Sequence, residues 1–121
     1  MRPEPQVAYR RLVRMFAERQ VADETAAAAV RAELPRVVRL LVERYRARKV
    51  VLFGSLALGL FHHARSDVDL AVEGLDFAAL AAAELDVRAI LCRKVDLVPI
   101  EAASEDLRID LAARGEVLRG A

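Results

Sequence analysis

The chain has 121 residues, of which 55% are hydrophobic, 31% are charged and only 5% are aromatic, and its formal net charge is +1. This length accommodates one compact domain and excludes two, and the hydrophobic content excludes disorder over most of the chain. The single cysteine, Cys92, excludes an intrachain disulfide. A core built from Ala, Leu and Val favours helices packed on a small sheet.

The charge is unevenly distributed along the chain. Residues 1–49 carry a net charge of +6, and residues 50–121 carry −5. These values fit a basic arm attached to an acidic, metal-binding core, and they fit solvated helix faces equally well. The first residues do not resemble a signal peptide and no apolar run is long enough to span a membrane, so we expect a cytoplasmic protein.

The first part of the chain has a helical pattern. Apolar residues recur at mostly helical spacing over residues 6–20, with arginines between them, which predicts an amphipathic helix. Asp23 can cap a second helix that runs to about Leu34. Pro35 can open a third helix, because proline is tolerated at the first helical position.

The rest of the chain alternates between strand and helix patterns. Strands are predicted at 50–53, 67–73 and 94–98, a helix is predicted from a cap at Asp76 to about Cys92, another follows a cap at Ser104, and a short edge segment is predicted at 116–119. The predicted fold class is α/β (α+β), a small mixed sheet of about three strands flanked by helices. We assign residues 1–34 to an N-terminal helical extension and residues 35–121 to the folded domain.

Three aspartates form the most informative pattern. Asp67 and Asp69 are two residues apart on a strand, so both carboxylates project from one face, with Cα atoms roughly 6.5–7 Å apart. Such carboxylates repel each other unless a cation neutralises them. Asp96 stands in an otherwise apolar strand. If the two strands are neighbours, three carboxylates converge, which is enough to hold two Mg²⁺ or Mn²⁺ ions about 3.5–4 Å apart.

A glycine and two serines flank this cluster. Gly54 and Ser55 directly follow the first strand. Glycine permits a close approach of the backbone to a ligand, and Ser55 offers a hydroxyl and an N–H group to a phosphate. Ser66 immediately precedes the first aspartate and is a further candidate for nucleotide binding. Each motif alone has an ordinary structural explanation, as a turn, a helix cap or a strand-edge carboxylate. The interpretation as a metal and phosphate site depends on the order of the motifs along the chain.

Other polar residues are weaker candidates. Glu73 shares the strand face of the two aspartates and could support them. His62 and His63 are adjacent, and adjacent side chains do not easily converge on one metal, so we expect them to be loop residues.

The ordered motifs resemble the DNA polymerase β-type nucleotidyltransferase superfamily, and most of all the minimal nucleotidyltransferases encoded beside HEPN-domain partners. Residues 53–59 read Phe-Gly-Ser-Leu-Ala-Leu-Gly, residues 65–72 read Arg-Ser-Asp-Val-Asp-Leu-Ala-Val, and residues 93–98 read Arg-Lys-Val-Asp-Leu-Val. The ending at 111–118, Leu-Ala-Ala-Arg-Gly-Glu-Val-Leu, also matches. The resemblance extends from about Pro35 to Ala121.

The resemblance implies roles for these residues. Asp67 and Asp69 would bind both metal ions, and Asp96 would bind one ion and orient or deprotonate the attacking hydroxyl. Gly54 and Ser55 would hold the β- and γ-phosphates of ATP, and pyrophosphate would leave. The acceptor implied is a tyrosine of a HEPN ribonuclease toxin, which the modification silences.

One position departs from the family pattern. The motif usually has an arginine where this chain has Leu58. A cation that would neutralise triphosphate is therefore missing from its usual place. Arg65, Arg48 and Lys49 are the candidates to replace it.

Three functions fit the sequence. The first is a transferase that moves AMP to a HEPN-type partner. The second is a catalytically weak or inactive antitoxin that neutralises its partner by binding, which Leu58 and its apolar neighbours favour. The third is a transferase for an antibiotic or another small hydroxyl compound, although no second domain is evident to form its pocket. The N-terminal arginines carry no recognisable nucleic-acid motif, so a nucleic-acid partner is not expected.

Overall fold

The computed structural model describes residues 5–120, and its longest element is a single N-terminal helix. Helix α1 spans Pro5–Glu43, which is 39 residues. The prediction of three helices was wrong, because α1 continues through both Asp23 and Pro35. Proline lacks an N–H donor and normally weakens a helix interior. Here the residues around it are held by the core, since Val30, Leu34, Val37 and Leu41 are buried at spacings of four, three and four.

A four-stranded mixed sheet forms the centre of the domain. The strands are β1 (Lys49–Phe53), β2 (Val68–Glu73), β3 (Val95–Pro99) and β4 (Glu116–Arg119), in the order β3-β2-β1-β4. Strand β1 is antiparallel to β2 and β4, whereas β2 and β3 are parallel. The predicted fold class is confirmed. The sheet has four strands instead of about three because the segment at 116–119 pairs with β1.

Three shorter helices complete the fold. They are α2 (Ser55–Leu58), α3 (Phe77–Leu91) and α4 (Glu105–Arg114), with a 3₁₀ turn at Ile100–Ala102 before α4. Two of the three predicted caps are present: the Asp76 side chain accepts a hydrogen bond from Ala79 N, and the Ser104 hydroxyl accepts one from Leu107 N. These bonds satisfy backbone donors that a helix start leaves unpaired.

The hydrophobic core lies on one face of the sheet. Val68, Leu70 and Val72 of β2 point to this face and are fully buried beneath α1 and α3. Burial of each such side chain contributes roughly 1.5–3 kcal/mol. Because side chains alternate along a strand, the intervening residues of β2 point to the opposite face. The core therefore determines the face on which the aspartates lie.

Within residues 5–120, no helix combines the length and the apolar character needed to cross a membrane.

Candidate active site

The sheet brings the three predicted aspartates together. Asp69 and Asp96 are direct partners in the parallel pairing of β2 with β3. Neighbouring strands are about 4.8 Å apart, so the two carboxylates lie side by side. Asp67 precedes β2 and shares the face of Asp69. The negative charges of Asp96 and Asp67 both act on Asp69, which makes the three residues one electrostatic cluster.

Asp69 is the central carboxylate of this cluster. Partial burial raises its pKa above the ordinary value, and the charges of Asp96 and then Asp67 raise the pKa further. The ionised form of Asp69 is therefore destabilised in the folded protein. A divalent cation would reverse this effect by neutralising the cluster. Carboxylate oxygens of this kind fit Mg²⁺ or Mn²⁺.

Gly54 lies against Asp69 at the end of β1. The backbone pairing sets Phe53 opposite Asp69, so the next residue passes directly beside the carboxylate. A Cβ atom at position 54 would lie only 2.1 Å from Asp69 Oδ2, and Gly54 has a φ of 76°. Both features require glycine. The backbone thus approaches the cluster as closely as a phosphate-binding turn must.

The two serines take different positions beside the cluster. Ser55 is the first residue of α2, so its backbone N–H lies at the start of that short helix. The Ser66 hydroxyl accepts a hydrogen bond from His62 N, and its carbonyl accepts one from the Arg93 guanidinium. In this structure Ser66 therefore stabilises the loop before Asp67, and its role toward a nucleotide stays a prediction.

Lys94 is a cation beside the cluster that the sequence reasoning missed. Its Nζ lies 3.8 Å from Asp67 Oδ2. The residue immediately precedes β3 and stands two positions before Asp96, which in an extended chain places both side chains on one side. That spacing was the available signal in the sequence, because it repeats the spacing of Asp67 and Asp69.

The predicted replacements for the missing motif arginine lie elsewhere. Leu58 itself is 46% exposed at the end of α2. Arg48 forms an ion pair with Glu73, and Lys49 is the backbone partner of Glu73. Glu73 is four residues, or about 13 Å, from Asp69 along β2. Arg48, Lys49 and Glu73 therefore lie at the far end of the sheet, and the expectation that Glu73 supports the aspartates was wrong. Arg65 is exposed in the loop before Asp67.

The two histidines share a cluster with Asp23 of α1. Ligand-type atoms of Asp23, His62 and His63 all lie within 4.8 Å of one another, so a third such residue is nearer than the sequence indicated. The two imidazole rings are stacked, with an angle of 16° between their planes. Because a metal lies in the plane of each imidazole that binds it, stacked rings do not direct their nitrogens at one ion. The contacts of this cluster instead join α1 to the loop, since Asp23 Oδ1 accepts a hydrogen bond from His63 N.

Comparison with known proteins identifies relatives of this arrangement. Residues 34–118 match the family model described as the nucleotidyltransferase domain. A toxin–antitoxin complex with AMP-PNP is 29% identical, with a TM-score of 0.62 and coverage of 71% of this chain and 73% of that chain. A MntA–HpeT toxin–antitoxin variant, with two aspartates two positions apart replaced by glutamate, is 26% identical, with a TM-score of 0.63 and coverage of 72% of both chains.

A further solved structure shares the fold. It contains a tri-AMPylated HEPN toxin with the MNT antitoxin from Shewanella oneidensis, is 23% identical, has a TM-score of 0.57, and covers 78% of this chain and 73% of that chain. No curated protein sequence matches the chain.

Proposed function

We propose that this chain, which belongs to the nucleotidyltransferase domain family, is a metal-dependent enzyme that moves AMP from ATP to a tyrosine hydroxyl of a HEPN-type toxin. The observation that carries the proposal is the pairing of Asp69 with Asp96 on neighbouring strands, with the charge of Asp67 acting on Asp69 and Gly54 lying against it. The division into an extension at 1–34 and a transferase domain at 35–121 belongs to the same proposal, as does a cytoplasmic location.

The cluster provides the ligands that the reaction needs. Asp67, Asp69 and Asp96 would hold Mg²⁺ or Mn²⁺, which when bound neutralises phosphate charge and lowers the pKa of a coordinated hydroxyl. The raised pKa of Asp69 supports this assignment, because a partly buried carboxylate beside two others gains most from a bound cation. ATP adds further negative charge at this point, so we expect ATP binding to depend on the metal.

The chain's own residues would bind the triphosphate, orient it and take the proton of the attacking hydroxyl. The turn at Gly54 and Ser55 holds the β- and γ-phosphates, with backbone N–H groups and the serine hydroxyl as donors. Asp96 accepts the proton of the attacking hydroxyl. The hydroxyl oxygen bonds to the α-phosphorus, the bond from that phosphorus to the bridging oxygen of the β-phosphate breaks, and pyrophosphate leaves.

The solved relatives support the donor and the acceptor. One of them contains AMP-PNP, an analogue of ATP. Another contains an AMPylated HEPN toxin beside its antitoxin. The two aspartates changed in the MntA–HpeT variant have the same spacing as Asp67 and Asp69.

A second candidate function is neutralisation of the partner by binding alone. Leu58, where the family motif usually has an arginine, is 46% exposed, and Leu60 is 72% exposed. Such a surface fits protein contact as well as it fits nucleotide binding. The two candidates differ in whether the partner becomes modified. A small-molecule transferase has no comparable observation in its favour.

The test is mass spectrometry of the co-expressed HEPN-type partner. We expect the mass of the partner to increase by AMP with the wild-type chain, ATP and Mg²⁺, and to stay unchanged with EDTA. Asp67→Asn combined with Asp69→Asn should reduce transfer by at least about 100-fold without unfolding the protein. If the wild type leaves the partner unmodified yet inhibits it, and the double variant inhibits it equally well, the enzyme proposal is wrong and binding alone remains.

A further inference from the structure

The first half of α1 is an amphipathic helix that packs against no other element within residues 5–120. Residues 6–21 are exposed, although they include seven large apolar side chains that are 44–68% exposed. These are Val7, Tyr9, Leu12, Val13, Met15, Phe16 and Val21. Exposure of these apolar side chains to water costs free energy, and burial against another surface removes that cost. We call residues 6–21 the projecting half of α1.

A groove lies beside the second half of the same helix. It has a volume of about 850 Å³ and is lined by α1 between Gln20 and Arg31 and by residues 56–61. The apolar part of its wall comes from the segment after the Gly54 turn, where Leu60 is 72% exposed. We call it the α1–loop groove.

The projecting half and the groove lie on one continuous face. Tyr9, Phe16, Gln20, Ala27 and Arg31 follow one another at spacings of seven, four, seven and four residues, which places them in one row along a helix. The last three line the groove. The row spans 22 residues, or about 33 Å at 1.5 Å per residue. A second helix of about 20 residues would match this length.

This face also adjoins the candidate active site. The groove wall includes Leu56–Leu58 of α2, and α2 starts immediately after Gly54, which lies against Asp69. Asp23 holds α1 against the loop at 62–66, since its Oδ1 lies 2.9 Å from His63 N and 2.6 Å from His63 Nδ1. A molecule seated along the row would therefore lie beside the carboxylate cluster.

The charges along α1 indicate which kind of molecule fits this surface. The projecting half carries four arginines and one glutamate, so its net charge is +3. A second copy with a parallel α1 would bring like charges together, whereas an antiparallel copy would not, and the sedimentation measurement below distinguishes that arrangement. The row then runs past Asp23 and Glu24 at the groove, which would oppose an anionic lipid surface. An apolar helix with acidic flanks at one end satisfies both halves of the face.

We propose that the projecting half of α1 and the α1–loop groove form one docking surface for an amphipathic helix of the protein that carries the acceptor hydroxyl. This inference rests on the proposed function for the identity of that protein. Docking along α1 places the partner beside the metal-binding aspartates, and it supplies the apolar contact that residues 6–21 lack.

The test measures binding of the HEPN-type partner used in the mass spectrometry experiment above, by isothermal titration calorimetry. Phe16→Glu places a charge in the projecting half, and Leu60→Glu places one in the groove wall. Each should weaken binding by about tenfold or more, as for an aromatic or apolar anchor. The matched control is Leu85→Glu, since Leu85 is 68% exposed on α3, and it should leave the affinity unchanged.

The outcomes separate this inference from the proposed function. If Phe16→Glu and Leu60→Glu bind as the wild type does while AMP is transferred, the docking surface is wrong and the function stands. If both variants lose affinity but the wild type transfers no AMP, the docking surface stands and the function is wrong. Sedimentation showing a dimer that Phe16→Glu dissociates, or binding of the projecting half to phosphatidylglycerol vesicles, would also overturn the inference.

Discussion

Gly54 shows how one residue links the fold to the candidate chemistry. It directly follows β1 and has a φ of 76°, and a side chain there would overlap the Asp69 carboxylate. Gly59 has nearly the same backbone conformation, with a φ of 73°, but nothing lies within 4 Å of a Cβ atom at that position. Substitutions at these two glycines therefore distinguish the effect of backbone strain from the effect of contact with the carboxylate cluster.

We predict that Gly54→Ala abolishes measurable AMP transfer, whereas Gly59→Ala retains it. Both substitutions place alanine at positive φ and should cost about 1 kcal/mol of stability. Only Gly54→Ala additionally displaces Asp69. Thermal unfolding and a transfer assay on both variants check the prediction. Equal activity in the two variants would contradict the close approach.

Lys94 is a cation beside the carboxylate cluster of a chain that has Leu58 where the family motif usually has an arginine. We predict that Lys94→Met lowers the rate of AMP transfer by about tenfold or more, because a cation beside the carboxylate cluster is removed. Thermal stability should hardly change, since an exposed ion pair such as that with Asp67 contributes about 0–1 kcal/mol.

The control is Lys49→Met, because Lys49 stands at the opposite end of the sheet beside Glu73. Steady-state kinetics at varied ATP should show a loss in Lys94→Met alone. The same loss in both variants would mean that net charge, and not position, matters.

At the scale of elements, the contact between α1 and the loop before Asp67 depends on Asp23. The pKa of Asp23 is lowered, first by the backbone hydrogen bond from His63 N and then by the bond to the His63 side chain. A carboxyl whose pKa is lower in the folded state stabilises the protein above its ordinary pKa of 3.8, and this stabilisation is lost as pH falls through the lowered value.

We predict that Asp23→Ala lowers the unfolding midpoint by a few degrees at neutral pH and that the difference from wild type shrinks below about pH 4. Glu24→Ala is the control, because within residues 5–120 the Glu24 side chain accepts a hydrogen bond only from Gln20. Scanning calorimetry from pH 3 to pH 7 is the measurement. A difference that persists at low pH would show that the contact acts through packing and not through the charge of Asp23.

At the scale of the molecule, the exposed half of α1 and the core are separate contributors to stability. Residues 6–21 are exposed, whereas α1 becomes buried from Val30 onward. We predict that removal of residues 1–19 changes the free energy of unfolding by less than about 0.5 kcal/mol, as expected for surface changes. Urea unfolding followed by circular dichroism checks this. A large loss of stability would mean that the segment packs on the domain.

The sequence alone was sufficient for the features that depend on local pattern. The alternation at 67–73 determined which face of β2 carries Asp67 and Asp69, because the core must take Val68, Leu70 and Val72. The caps at Asp76 and Ser104 were readable because a capping side chain reaches only three residues ahead. The family resemblance depended on the same ordered motifs.

Only the tertiary structure decided what depends on residues distant along the chain. The start and stop signals at Asp23 and Pro35 were overridden because packing of α1 against the sheet outweighs local preference. Asp23 bonds to His63, 40 residues away, and no pattern within a few residues predicts that contact. Lys94 stands beside Asp67, and Glu73 stands far from it, because strand register sets both neighbours. Register is a property of the assembled sheet, so the chemistry of this site is completed only when the strands have paired.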